Sequence, residues 1–92
     1  MIVPEEFKRF TRCFLQGSFD EAIDERDWIR RALQLNSIEQ RAVIKKFIVG
    51  LLSAETDLGE LQKVWKSGQP SYGISDGHIR KFLEDVRDLI VD

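Results

Sequence analysis

A single cysteine, Cys13, denies this 92-residue chain an intramolecular disulfide. A fold of this size without a crosslink is held by packing alone, as in a reducing compartment. Histidine also occurs once, as His78. With no second histidine or nearby cysteine, the sequence offers no set of three or four metal ligands. The longest apolar stretch, within residues 47–52, falls far short of the roughly 20 residues that cross a bilayer. The opening residues 1–6 have neither a basic segment nor an apolar core, so no signal peptide is expected and the chain reads as cytoplasmic. Lysine and arginine (14) do not exceed aspartate and glutamate (16), which removes the basic excess typical of a general nucleic-acid binder. Gly68, Gly73 and Gly77 are not spaced to cradle a phosphate. No catalytic constellation, cofactor motif or small-molecule site stands out, and a binding protein is expected rather than an enzyme.

What is present is helical periodicity from end to end. Pro4 suits a helix start. Phe7, Phe10, Phe14 and Leu15 then fall on one stripe until Gly17, which predicts a first helix over about 4–16. A second helix within 20–35 buries Trp28, Ile29, Ala32 and Leu33, with Asp24 as its cap. Ser37 and Gln40 form a capping box that opens the strongest helix, with Ile44, Phe47, Ile48, Leu51 and Leu52 inward. Gly50 inside it costs about 1 kcal/mol relative to Ala, which a close helix crossing would explain. Asp57 and Glu60 open a fourth helix, with Leu58, Leu61, Val64 and Trp65 inward until Gly68. After the irregular segment 68–74, Ser75 or Asp76 caps a last helix with Ile79, Phe82, Leu83, Val86 and Ile90 on one face. The expected fold is all-α, a single domain of five short helices with short loops. Phe10, Phe14, Trp28, Phe47, Leu51, Trp65, Phe82 and Val86 should share its core.

Charge is concentrated in two places. Residues 19–28, FDEAIDERDW, carry Asp20, Glu21, Asp24, Glu25 and Asp27 around a single base, Arg26. The last helix carries Glu84, Asp85, Asp88 and then Asp92, which oppose the helix dipole at that end and are only partly offset by Arg80 and Arg87. Caps and solvation account for Asp24 and Asp27 but less well for the others. Asp20, Glu21, Asp24 and Glu25 are therefore candidate partner-binding residues, with Glu84, Asp85 and Asp88 as a second patch. Tyr72, the only tyrosine, either tucks onto the core or anchors a partner, since tyrosine is enriched at binding hot spots. A helix-turn-helix reader would need exposed polar residues early in a recognition helix. Gln40, Arg41, Lys45 and Lys46 qualify, but Glu39 and the acidic regions disfavour phosphate, so no nucleic-acid partner is expected. A small helical adaptor or regulatory subunit is the main alternative, and the oligomeric state stays open.

Several passages resemble the small helical immunity proteins of bacterial contact-dependent growth inhibition systems. Phe14-Leu15-Gln16-Gly17-Ser18-Phe19-Asp20 is similar to that family's aromatic, polar, aromatic-Asp stretch. An acidic passage into Asp27-Trp28-Ile29-Arg30-Arg31-Ala32-Leu33, the Leu51-Leu52 pair and a glycine followed by Tyr72 come in the family's order. The ending from Arg80 to Leu89 resembles its Arg-x-aromatic-Leu-x-x-Val-Arg-x-x-Leu pattern. Leu15-Gln16 stands where members often carry His-Gln, and Trp65-Lys66-Ser67-Gly68 replaces the usual Leu-Gly. The resemblance implies stoichiometric binding of a toxin domain, commonly a nuclease with a basic cleft, with no turnover and no cofactor. The acids at 20–25 would then imitate a phosphate backbone.

Overall fold

A computed structural model describes residues 2–90; Met1 and Asp92, the last of the acids counted with the final helix, lie outside that range. The fold is all-α. Its elements are α1 (Glu5–Arg12), a 3-10 turn (Phe19–Glu21), α2 (Glu25–Gln34), α3 (Ile38–Ser53), α4 (Leu58–Lys66) and α5 (Asp76–Leu89). The described residues contain no strand. α5 is the hub: it packs against α2, α3 and α4, while α1 lies across α3 and α4.

The helix starts follow their caps. Asp24 accepts the Asp27 amide at 2.8 Å, and Asp57 accepts that of Glu60 at 2.8 Å. Ser37 and Gln40 exchange both bonds of the capping box. At α5 neither expected side chain caps. Ser75 offers only its carbonyl to His78 and Ile79, and the Asp76 carboxylate instead accepts from Gln62.

α1 stops at Arg12, well short of Gly17. The Thr11 hydroxyl donates back to the Lys8 carbonyl, a side-chain bond that competes with the helix ladder. Beyond it the chain is taken over by tertiary bonds. The Phe14 carbonyl accepts the Ser71 amide at 3.1 Å, and the Arg12 Nε donates to the Gly68 carbonyl at 3.2 Å. Phe14 is still fully buried, but Leu15, freed from the helical stripe, is 59% exposed.

The core is aromatic. Phe14 stands at its centre, with ring centroids 4.7 Å from Trp28, 5.1 Å from Trp65 and 5.7 Å from Phe82, all edge-on. Edge-to-face packing of this kind adds about 0.5–1.5 kcal/mol per pair beyond area burial. Phe10, Leu51 and Val86 are buried with them as expected. Phe47 is not: it is only partly buried, touching Phe7 at the margin and lining an open groove. Leu58, expected inward, is 41% exposed.

Two glycines behave differently from expectation. Gly50 is exposed and supports no helix crossing, for a β-carbon there meets nothing within 4 Å. Gly68 is the close-approach glycine, where a β-carbon would lie 2.2 Å from the Lys8 carbonyl oxygen. The left-handed position that ends α4 falls on Gln69, at φ 60°, one residue beyond Gly68.

Candidate functional site

The 3-10 turn Phe19–Glu21 is held from below by aromatic side chains. The Trp28 indole N–H donates to the Ser18 hydroxyl at 2.9 Å, and Phe19 stacks edge-on against Trp28 at 5.0 Å. Tyr72 packs on the same indole at 4.9 Å, and its hydroxyl accepts the Gly17 amide at 2.8 Å. The Trp65 indole in turn donates to the Tyr72 carbonyl at 2.9 Å. Tyr72 is therefore half-buried and bonded at both ends. Its hydroxyl turns back to the chain, and its visible work is to tie the 68–74 loop to the turn. Gly17, at φ +87°, supplies the left-handed backbone that aims its amide there.

On this support Asp20 and Glu21 are exposed, and their carboxylates make no hydrogen bond or ion pair with described residues. Apolar surface surrounds them: Leu15 is 59%, Phe19 42% and Ile23 89% exposed. A shallow groove of about 320 Å³ runs beside Glu21 between Leu15, Ser18, Trp28 and Leu35. The acids alone stand out in the sequence; their apolar neighbours emerge only in the fold. The signal was Ile23 alone between acidic residues, and Leu15 on a helix stripe that ended early.

The other candidate acids are occupied. Asp24 is consumed as the α2 cap. Asp27 accepts from the Ile23 amide at 3.0 Å and the Arg31 guanidinium at 2.9 Å, and these two bonds hold its carboxyl below the ordinary carboxylate value. Glu25 grips His78 across the α2–α5 contact, both oxygens lying within 2.9 Å of Nε2. His78 sits in the first turn of α5, and its partner is this carboxylate.

The second acidic patch does not form as expected. Asp85 is not on the outer face of α5: its side chain is 8% exposed, bonded to Lys81 Nζ at 2.5 Å and within 3.6 Å of Arg26 Nη1. Asp88 is paired with Arg87 at 2.9 Å, and that bond lowers its pKa. Glu84 acts electrostatically on both Lys81 and Arg87. Among the described residues, the three acids Glu84, Asp85 and Asp88 thus face the three bases Arg26, Lys81 and Arg87. Arg80, expected to offset Glu84, donates to the Thr56 carbonyl instead. The structure brings the two acidic stretches together through Glu25–His78 and Arg26–Asp85, and leaves most of their carboxylates with a partner inside the protein.

Elsewhere, among the described residues no group of three or more His, Cys, Asp or Glu side chains is placed to hold a metal ion. No helix among them is long and apolar enough to cross a membrane. Cys13 is half-buried, donates to the Arg9 carbonyl, and is pushed up in pKa by burial. Of the side chains a recognition helix would present, Gln40 is engaged in its capping box and Lys45 donates to the Ile90 carbonyl. Comparison with known proteins returns nothing: no family model, curated protein or solved structure matches the chain. The family resemblance rests on the sequence passages alone.

Proposed function

We propose that this chain is a stoichiometric inhibitor, an immunity protein that binds a basic toxin domain through the 3-10 turn and its surroundings, in the cytoplasm and without turnover. One observation carries the reading. Asp20 and Glu21 are unpaired on a turn that Trp28, Phe19 and Tyr72 hold in place, whereas the other acids at 20–27 are engaged inside the protein. Carboxylates on a held turn, close to exposed Leu15, Phe19 and Ile23, combine steering charge with apolar contact area, the composition of an interface centre with a polar rim. A nuclease cleft, built to attract phosphate, is a complementary target. The resemblance to immunity proteins supports the same partner class.

The test pairs the chain with the toxin domain encoded beside it. Growth protection on co-expression, a 1:1 complex by calorimetry, and loss of both in Asp20→Lys/Glu21→Lys support the reading. Absence of a complex, or full protection by the doubly reversed variant, overturns it.

A further inference from the structure

Helix α3 is apolar on two sides. Ile44, Ile48 and Leu51 face the core. The opposite side nevertheless carries Ile38 at 70%, Val43 at 37% and Val49 at 40% exposure, with Ala42 and Gly50 also open to solvent. A helix apolar all round is ordinarily covered on both sides. Between Phe47 and Gly50 this outer side is hollowed into an apolar groove of about 420 Å³, walled by Pro4, Val43 and Leu51. Gly50 leaves the groove open, and no packing inside the protein requires a glycine there.

Two charges interrupt the stripe, Glu39 and Lys46. Glu39, Ala42, Val43, Lys46 and Gly50 recur at three- and four-residue spacing and so share one face. Seven residues separate the charges, about 10 Å along the axis, too far for them to pair with each other. Neither makes an ion pair with any described residue. In a parallel pairing of two copies, Glu39 would meet Glu39 and Lys46 would meet Lys46, which is repulsive. In an antiparallel pairing about a two-fold axis between Ala42 and Val43, each Glu39 meets the Lys46 of the other copy. The same register sets Ala42 against Val43, where small side chains let the helices approach. Exposed apolar surface and charge thus agree in one register.

We infer that the protein forms an antiparallel two-fold dimer through the outer face of α3, with Glu39 of each copy against Lys46 of the other. The interface is isologous, as a closed dimer requires. The charge pair selects register and direction, as a polar position does in a helical seam. One helix pair buries area at the low end of specific interfaces, so the association is reversible and concentration-dependent. The surface is separate from Asp20 and Glu21, and the inference stands whatever partner that turn binds.

Sedimentation velocity over a wide concentration range tests it, with a thermal melt of each variant as the folding control. The wild type should pass from monomer to dimer. Lys46→Glu places like charges in register and should weaken association by about tenfold or more. Glu39→Lys combined with Lys46→Glu should restore it. Ala42→Trp puts bulk at an exposed position beside the two-fold axis and should abolish the dimer while the melt is retained. A wild type that stays monomeric at every concentration overturns the inference. So does a dimer that survives both Lys46→Glu and Ala42→Trp, or a folded charge-swapped double variant that fails to regain association.

Discussion

Replacing Gly68 by alanine isolates the tightest contact in the fold. The added β-carbon would lie 1.9 Å from Thr11 Oγ1, 2.2 Å from the Lys8 carbonyl oxygen and 2.9 Å from its carbon. The threonine hydroxyl can rotate away, but the Lys8 carbonyl belongs to the backbone of α1. α1 and the end of α4 must therefore separate by roughly an ångström, a displacement of the overpacking kind that costs about 1–3 kcal/mol. The separation also stretches the bond from Arg12 Nε to the Gly68 carbonyl, worth about 0.5–1.5 kcal/mol. A total of about 2–4 kcal/mol is a large part of the roughly 5–15 kcal/mol that holds a small domain together. At about 4–8 °C per kcal/mol for this size, Tm should fall by about 8 °C or more. Gly50→Ala is the matched control. Its β-carbon meets nothing, so removing a helix-interior glycine should stabilise by about 0.5–1 kcal/mol. Thermal melts of the two variants should move in opposite directions. A Gly68→Ala melt within a degree or two of wild type would refute the close approach of α1 and α4. If the threonine were the main obstacle, Thr11→Ala would rescue Gly68→Ala fully; with the carbonyl in the way, rescue should be partial.

Gln69→Gly should raise Tm, because it relieves a left-handed non-glycine residue at a cost of roughly 1 kcal/mol, and a lowered melt would count against that conformation. Tyr72→Phe leaves the Gly17 amide without its acceptor and should cost about 1 kcal/mol in urea unfolding, with Tyr72→Ala costing more through loss of the ring on Trp28. Phe47→Ala should cost about 1–2 kcal/mol by the same measurement, less than the 3–5 of a fully buried phenylalanine, because the ring lies at the core margin. Asp27 and Asp88 have depressed pKa values when folded, so their contribution is present at neutral pH and is lost as pH falls below 3.8 through those depressed values. The difference in unfolding free energy between wild type and Asp27→Asn should accordingly be largest at neutral pH and shrink in acid; a pH-independent difference would contradict the pairing with Arg31 and Ile23.

The helices and most of the core were legible because periodicity and caps are local signals. Ser37–Gln40 and Asp24–Asp27 act within three residues of each other and need no tertiary information. The failures have a common cause in long-range contacts. α1 ends early because Phe14 and Arg12 bond to the 68–74 loop, some 56 residues away in sequence, and that is also why Leu15 became surface. The close approach expected at Gly50 falls at Gly68 instead, since the need for a glycine depends on which backbone lies opposite. Asp85 was read as outward from charge alone, whereas Arg26 of α2 reaches over it.

That last contact also bears on what the acidic stretches are for. Acid density along a sequence overstates acid density on a surface whenever bases from another element fold over it. Here Arg26, Lys81 and Arg87 offset Glu84, Asp85 and Asp88, and Glu25 is drawn to His78. Of the acids at 20–27, Asp20 and Glu21 are the ones whose side chains have no partner among the described residues. Exposed charges of this kind set association rate more than fold stability. Asp20→Lys with Glu21→Lys should change unfolding free energy by less than about 0.5 kcal/mol. It should slow association with a basic toxin domain by about tenfold at low ionic strength, with the gap closing as salt screens both proteins. Reversing Glu84 and Asp88, which lie on α5 and not on the turn, should slow it less. Stopped-flow rates at several salt concentrations separate the two. An equal or larger loss from the α5 variant would move the binding surface to α5, and unchanged rates in both would remove electrostatic steering from the account.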